Sequence, residues 1–198
     1  VKLQSLADQR NILIGGSYLT LDQGGLYNTF LLVQPGVKDP LRYNKIHLFR
    51  QLDEPKYLRA GSQPAAGDTS IAKVGLAVCY DLRFPEMFRA YGRSQVELVL
   101  VAAQWGSERS EHWRTFLRAR AIENQFFIAA VNAVGPLREK ILAGFSAIVD
   151  PWGDVLAEAD GTEETLITAE IDLEVIKKAG EKVPSREDAR NDLYPGWF

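Results

Sequence analysis

The sequence predicts an α/β domain that is layered around a mixed β-sheet. Apolar strand patterns and helical patterns alternate through residues 71–131, which is typical of parallel strands joined by helices. Hairpin patterns at both ends of the chain add antiparallel strands. No repeat and no linker rich in Pro, Gly or Ser divides the 198 residues, so we expect a single domain over 1–198.

The sequence pattern of the first half of the chain predicts mainly strands. Apolar runs that end in glycines or at a Pro-Gly turn predict strands over 11–17, 25–33 and 41–46, after the end of a helix over 1–10. Residues 47–70 are rich in Pro, Gly and charge, which predicts a long loop, and long loops in compact domains are usually functional. The nearly continuous apolar run over 71–78 predicts a buried strand.

Helices and strands alternate beyond Cys79. We expect a helix over 85–91, a strand over 96–102 and a helix over 110–124 with Ser110 as its N-cap. A strand over 126–131, a hairpin over 144–159, a strand over 165–171 and a short helix over 173–178 complete the chain.

Composition argues against several classes of partner. A formal charge of −3 and an isoelectric point near 5.5 provide no basic field for nucleic acid. No apolar run approaches the ~20 residues that a membrane span needs, and the first residues lack a signal-peptide pattern. Cys79 is the only cysteine, which excludes an internal disulfide and favours a reducing compartment, so we expect a cytoplasmic protein.

The ligand inventory predicts neither a metal nor a cofactor. Cys79, His47 and His112 are the only thiol and imidazole side chains, and none lies at zinc-ligand spacing. No glycine-rich phosphate loop is present. We therefore expect chemistry carried out by side chains alone.

Cys79 is the sharpest candidate for a catalytic group. The strand over 71–78 delivers it to a carboxyl end, just before a helix, where open α/β sheets place ligands. A helix N-terminus favours a thiolate and lowers its pKa. The alternative is a core cysteine, since free Cys is often buried. His47 and His112 are the only imidazoles that could act as its base, and neither lies in a context that marks one.

Several separate motifs resemble the nitrilase superfamily, most closely its ω-amidase-like branch. They are Tyr-Asn-Lys-Ile-His over 43–47, Cys-Tyr-Asp-Leu-Arg-Phe-Pro-Glu over 79–86, His-Trp over 112–113, Arg-Ala-Arg-Ala-Ile-Glu-Asn-Gln over 118–125, Gly-Phe-Ser over 144–146, Asp-Pro-Trp-Gly over 150–153 and Asp-Leu-Tyr over 192–194. The resemblance implies an αββα sandwich around mixed β-sheets. It also implies that Cys79 forms a thioester and that Lys45 stabilises the oxyanion, together with the backbone N–H of Tyr80.

The resemblance implies further roles. Glu54 is expected to support Lys45 and the substrate, and Trp105 to line the substrate pocket. Without the resemblance, Lys45 would read as a surface lysine, Glu54 as an exposed loop carboxylate and Trp105 as a core residue. Two further pairs are expected to be structural: Arg120 with Glu123 behind the site, and Asp81 with Arg83 in the turn after Cys79.

The general base of the family is a glutamate upstream of the lysine motif, and residues 1–10 contain no Glu. We therefore expect the fold to be N-terminally incomplete, lacking its first strands and helix, on the order of 60 residues.

The expected reaction is hydrolysis of a small linear amide, with release of ammonia. The alternatives are a nitrile or N-carbamoyl hydrolase, or a catalytically impaired relative that binds metabolites or partners. Leu193, Tyr194, Trp197 and Phe198 near the C-terminus predict a buried anchor. We expect it to help form a homodimer, although the tail could instead fold back on its own domain.

Overall fold

The computed structural model describes residues 2–22 and 24–193. The helices are α1 (Lys2–Arg10), α2 (Glu54–Tyr57), α3 (Pro85–Arg93), α4 (Ser110–Asn124) and α5 (Glu174–Lys182). The strands are β1 (Ile14–Asp22), β2 (Gly25–Val33), β3 (Leu41–Asn44), β4 (Ala65–Asp68), β5 (Lys73–Val78), β6 (Leu98–Ala103), β7 (Phe127–Asn132), β8 (Val134–Leu137), β9 (Lys140–Ala143), β10 (Ala147–Val149) and β11 (Val155–Glu158).

The larger sheet has six strands in the order β11-β10-β7-β6-β5-β4. The central strands β5, β6 and β7 are parallel, whereas β4, β10 and β11 join them in antiparallel pairs. All of β5 except Lys73 is buried, which explains its nearly continuous apolar sequence. The prediction of a mixed sheet is confirmed.

The smaller sheet consists of β1, β2 and β3, all antiparallel. Strands β1 and β2 pair from Ile14 opposite Val33 to Asp22 opposite Gly25. Phe30 and Leu32 of β2 are buried in the core that both sheets share. Strand β2 approaches β5 and β1 approaches β6, so the two sheets lie face to face.

Helices cover the outer faces of the two sheets. Helix α1 contacts β2, whereas α4 contacts α3, β7 and β10. The ring of Tyr91 in α3 lies so close to Gly75 in β5 that a Cβ there would be 3.2 Å from the ring carbons. The layers therefore run helix, sheet, sheet, helix, which confirms the αββα sandwich.

Three local predictions were wrong. Residues 165–171 form no strand: Ile167, Ala169 and Ile171 keep a period-two burial, but no described strand pairs with them. Ser110 is not an N-cap, because the 3₁₀ turn Ser107–Arg109 runs directly into α4 and makes Ser110 helical. The predicted loop over 47–70 contains α2 and β4.

The sequence-based reading also missed a hairpin. Strands β8 and β9 pair with each other as a separate two-stranded sheet. A single bridge between Gly106 and Leu142 connects β9 to the segment after β6. Gly135 and Pro136 lie within β8, and such residues usually indicate a loop, which is why the pattern concealed the strand.

Candidate active site

Lys45 is buried and ion-paired. It directly follows β3; its backbone N–H donates to the carbonyl of Asn28 at 2.8 Å, and its own carbonyl accepts from Gly61 N–H at 2.9 Å. Its side chain is only 1% exposed, and Nζ lies 2.8 and 2.7 Å from the two carboxylate oxygens of Glu54. The surface-lysine alternative is therefore wrong.

Glu54 holds this cation from the first residue of α2. Its Oε2 also accepts the backbone N–H of Phe49 at 2.7 Å, and its side chain is 15% exposed. Each carboxylate oxygen thus has a charged partner, and one has a backbone donor as well. A carboxylate satisfied in this way is not an exposed loop residue.

Cys79 lies at the carboxyl end of β5, where a 3₁₀ turn over Cys79–Arg83 begins. Its φ of 50° is in the left-handed region, which non-glycine residues adopt uncommonly. The thiol is part-buried, and it belongs to the one cysteine of the chain. The turn projects the residue out of the sheet rather than continuing the strand.

The pKa of Cys79 is raised, mainly because burial disfavours the thiolate. The nearby cation of Lys45 and a backbone hydrogen bond from Gln104 lower it, whereas Glu54 and Asp81 raise it. Our expectation of a lowered pKa was wrong, because α3 begins only at Pro85 and burial outweighs the neighbouring cation. Burial thus favours the neutral thiol of Cys79 over the thiolate.

Cys79, Lys45 and Glu54 line one cleft of about 550 Å³. Residues of β1, among them Tyr18 and Leu19, form another part of its wall. The structure thus brings together the three side chains that the sequence marked as catalytic. The segments after β3 and at the end of β5 meet at Asp81, whose carboxylate accepts the backbone N–H groups of His47 and Val78.

A smaller pocket adjoins the cleft and shares Cys79 with it. Three cationic residues, Arg83, Arg109 and Lys140, are in its lining, which contains no acidic residue. The guanidinium of Arg83 lies 4.8 Å from the ring centroid of Trp105. Burial and the neighbouring Arg109 lower the pKa of Arg83. Two arginines and one lysine thus give a small, mainly apolar pocket a positive charge.

Trp105 is both a core residue and part of the pocket wall. It is 3% exposed, packs on Trp113 at 5.6 Å between ring centroids, and donates its indole N–H to the carbonyl of Arg109. It also lines the pocket beside Cys79. Tyr80 lines the same pocket, and its ring contacts Phe49.

The described hydrogen bonds of the two histidine rings are to Asp81 and Arg83 in the turn that begins at Cys79, not to Cys79 itself. Nδ1 of His47 lies 2.8 Å from Asp81 Oδ1, and Nδ1 of His112 lies 3.2 Å from Nη2 of Arg83. The Nδ1 atom of each ring thus has a described partner. Within residues 2–22 and 24–193, no group of three or more His, Cys, Asp or Glu side chains is placed to hold a metal.

The residues expected to be supportive have structural contacts. Arg120 pairs with Glu123 at 3.0 Å and donates to the carbonyl of Leu82, inside the turn that follows Cys79. The sequence analysis did not predict that Arg109 and Lys140 line a pocket beside Cys79. No motif marks either residue, and Lys140 reaches the pocket only through the hairpin that was not predicted.

None of the helices in the described part of the chain combines the length and the apolar character needed to cross a membrane.

We expect the alkylation of Cys79 by iodoacetamide to increase with pH, with a midpoint above the ~8.5 of a free cysteine, because burial favours the thiol. Lys45→Met should move the midpoint higher still, since it removes the cation that lowers the pKa. Lys56→Met, which alters an exposed lysine of α2, is the matched control and should leave the midpoint unchanged. A midpoint below that of free cysteine would contradict this account.

Comparisons with known proteins agree with the geometry. The family model described as carbon-nitrogen hydrolase matches residues 1–181. A 2-oxoglutaramate amidase of Bacillus subtilis is 39% identical over 182 residues, which cover 92% of this chain and 70% of that protein. An omega-amidase of Homo sapiens is 34% identical over 203 residues, which cover 98% and 73%.

Solved structures show the same fold. A CN-hydrolase superfamily protein from Xanthomonas campestris, with an arsenic adduct in its active site, superposes with a TM-score of 0.86 and 31% identity over 94% of this chain and 72% of that one. A glutamate-to-glutamine mutant of an amidase from Nesterenkonia sp. AN1 carries the acetamide moiety of fluoroacetamide on its active-site cysteine. It gives a TM-score of 0.83 and 26% identity over 100% and 72%. The chain is therefore an enzyme of the carbon-nitrogen hydrolase family, within the ω-amidase-like branch of the nitrilase superfamily.

Proposed function

We propose that this enzyme hydrolyses the amide of a small linear substrate through a thioester on Cys79 and releases ammonia. The observation that carries the proposal is the buried pair of Lys45 and Glu54, which lines the same cleft as Cys79. A buried ammonium is costly unless it has a partner, and a site that keeps one beside a thiol is suited to binding an oxyanion.

In the proposed first step, the sulfur of Cys79 attacks the amide carbon and the carbonyl electrons move to oxygen. Lys45 and the backbone N–H of Tyr80 stabilise that oxyanion. When it collapses, the C–N bond breaks, and the proton from the thiol leaves with nitrogen as ammonia. Water then attacks the thioester, the C–S bond breaks, and the carboxylic acid and the thiol are restored.

Glu54 is assigned to hold Lys45, because both its oxygens already accept hydrogen bonds from Nζ. The resemblance implies that a separate glutamate, upstream of the lysine motif, takes the proton of the thiol.

The pocket next to Cys79 supports a substrate with a carboxylate at its far end. Arg83, Arg109 and Lys140 line it, and among them only Arg109 has a described acidic partner, Glu108, at 2.8 Å. Monoamides of dicarboxylic acids fit this charge. Relatives named 2-oxoglutaramate amidase and omega-amidase support the same substrate class.

Cys79 acting as a nucleophile should be visible as an acyl-enzyme. Incubation with a slowly hydrolysed ester or amide should add one acyl mass to the intact protein and none to Cys79→Ala. Peptide mapping then locates the adduct. An adduct of equal yield in Cys79→Ala would refute the assignment.

Substrate charge should control kcat/KM. We expect the monoamide of succinic acid to be preferred over butyramide, and Lys140→Met to remove about 10-fold or more of that preference, since a hydrogen bond to a charged group contributes about 1.5–3 kcal/mol. Arg138→Met, which alters a cation at the tip of the same hairpin outside the pocket lining, is the control. Equal kcat/KM for the two amides would exclude an anionic substrate.

We also propose that the enzyme forms a homodimer with help from its C-terminal segment. Leu193 is exposed, whereas Tyr194, Trp197 and Phe198 lie outside the described residues. Light scattering should give twice the chain mass, and deletion after Val183 should weaken the assembly. A monomer at tens of micromolar would contradict the dimer, and an unchanged dimer after deletion would exclude only the role of the tail.

The proposed chemistry requires a reduced Cys79, which supports a cytoplasmic location. In cell fractionation we expect the protein in the cytoplasmic fraction.

A further inference from the structure

The carboxylate of Asp81 is fully buried and accepts four hydrogen bonds. Oδ2 accepts from Tyr43 Oη at 2.7 Å and from the backbone N–H of Val78 at 2.9 Å. Oδ1 accepts from the backbone N–H of His47 at 3.1 Å and from its ring Nδ1–H at 2.8 Å. These bonds use about the whole accepting capacity of a carboxylate.

The donors come from two separate segments of the chain. Tyr43 and His47 are two residues on either side of Lys45, while Val78 directly precedes Cys79. The hydroxyl of Tyr43 also accepts the backbone N–H of Ile46 at 3.0 Å. One carboxylate therefore links the backbone around Lys45 to the turn that carries Cys79.

The surroundings make this link rigid. Burial and the adjacent Asp81 charge raise the pKa of Tyr43, so its phenol stays protonated and keeps donating. The ring of His47 stacks on Phe84 at 3.6 Å between centroids, with planes 7° apart. The carbonyl of Asp81 accepts the N–H of Phe84, which closes the turn after Cys79.

The charge of Asp81 opposes the chemistry of its neighbour, because it raises the pKa of the Cys79 thiol. An asparagine would fill the same volume without that charge. It would, however, present an N–H₂ group to donors and could not accept all four bonds. The advantage of the carboxylate at this position is therefore geometric.

We infer that Asp81 is a positioning residue that fixes Lys45 relative to Cys79 by holding both backbone segments on one carboxylate. The inference rests on the roles proposed above for Cys79 and Lys45. Loss of the link moves Lys45 out of alignment with Cys79, and misplacement by about 1 Å can cost about 100-fold in rate.

The test compares Asp81→Asn with Asp150→Asn. Asp150 is the matched control, because its carboxylate is also buried and accepts two backbone N–H groups in a turn, between β10 and β11. For Asp81→Asn we expect kcat to fall about 100-fold, with KM changed less than about 3-fold. Asp150→Asn should keep both parameters even if it unfolds at a lower temperature.

Iodoacetamide titration of Cys79 separates geometry from charge, and it needs no substrate. Removing the negative charge alone would lower the thiol pKa, whereas moving Lys45 away would raise it. We expect the midpoint of Asp81→Asn to rise towards that of Lys45→Met. A midpoint that falls, or a folded Asp81→Asn with kcat within about 3-fold of the unaltered enzyme, would overturn the inference.

Tyr43→Phe covers the case in which Asp81→Asn does not fold. It removes one of the four donors and the acceptor for Ile46, and we expect kcat to fall about 10-fold. An unchanged kcat in folded Tyr43→Phe would also overturn the inference. If the unaltered enzyme showed no amide turnover, the proposed reaction would fail, while the thiol titration would still decide the role of Asp81.

Discussion

The buried ammonium of Lys45 is the constraint on which the rest of the site depends. A cation that is 1% exposed must have a partner, and Glu54 provides both of its oxygens. Because Glu54 lies in α2, the segment that follows β3 must fold back towards the end of β3 to bring the two side chains together. It does so at Gly61, whose N–H binds the carbonyl of Lys45 and where any Cβ would overlap the carbonyl of Asn44.

Cys79 imposes a second constraint, because its backbone is held at a positive φ. Such a conformation costs on the order of 1–3 kcal/mol and persists only where the surroundings determine it. The buried strand β5 on one side and the hydrogen-bonded turn on the other provide that determination. The face-to-face sheets then place this strained residue beside Lys45, although 33 residues lie between them in the sequence.

The elements that the sequence predicted well are those with a long, uninterrupted sequence pattern. Strand β2 and helix α4 have the bounds that were predicted, because an apolar run or a single apolar helical face defines each of them. Residues 165–171 show why a pattern can mislead: the alternation is present, but pairing depends on a neighbour that the local sequence does not contain. Leu166 in that segment is 88% exposed.

In the candidate site, too, some features could be predicted from local sequence and others depend on the folded structure. Cys79, Lys45 and Glu54 could be named from motifs, since each lies in a distinctive local sequence. The direction of the pKa shift of Cys79 could not be predicted from the sequence, because the burial that raises this pKa arises only when the chain folds. The convergence of Arg83, Arg109 and Lys140 was equally hidden, because it depends on where a hairpin lies rather than on any spacing along the chain.

Because the β8–β9 hairpin forms its own sheet, the lining of the smaller pocket is structurally separate from the ion pair of Lys45 and Glu54. Lys45 and Cys79 follow strands of the three-stranded and six-stranded sheets and Glu54 lies in α2, whereas Leu137, Lys140 and Leu142 of the pocket wall belong to a separate two-stranded sheet. Changes in the hairpin can alter the size and charge of the pocket without disturbing the buried ion pair. Substitutions in this one peripheral β-ribbon can therefore change the pocket while Lys45, Glu54 and Cys79 stay the same.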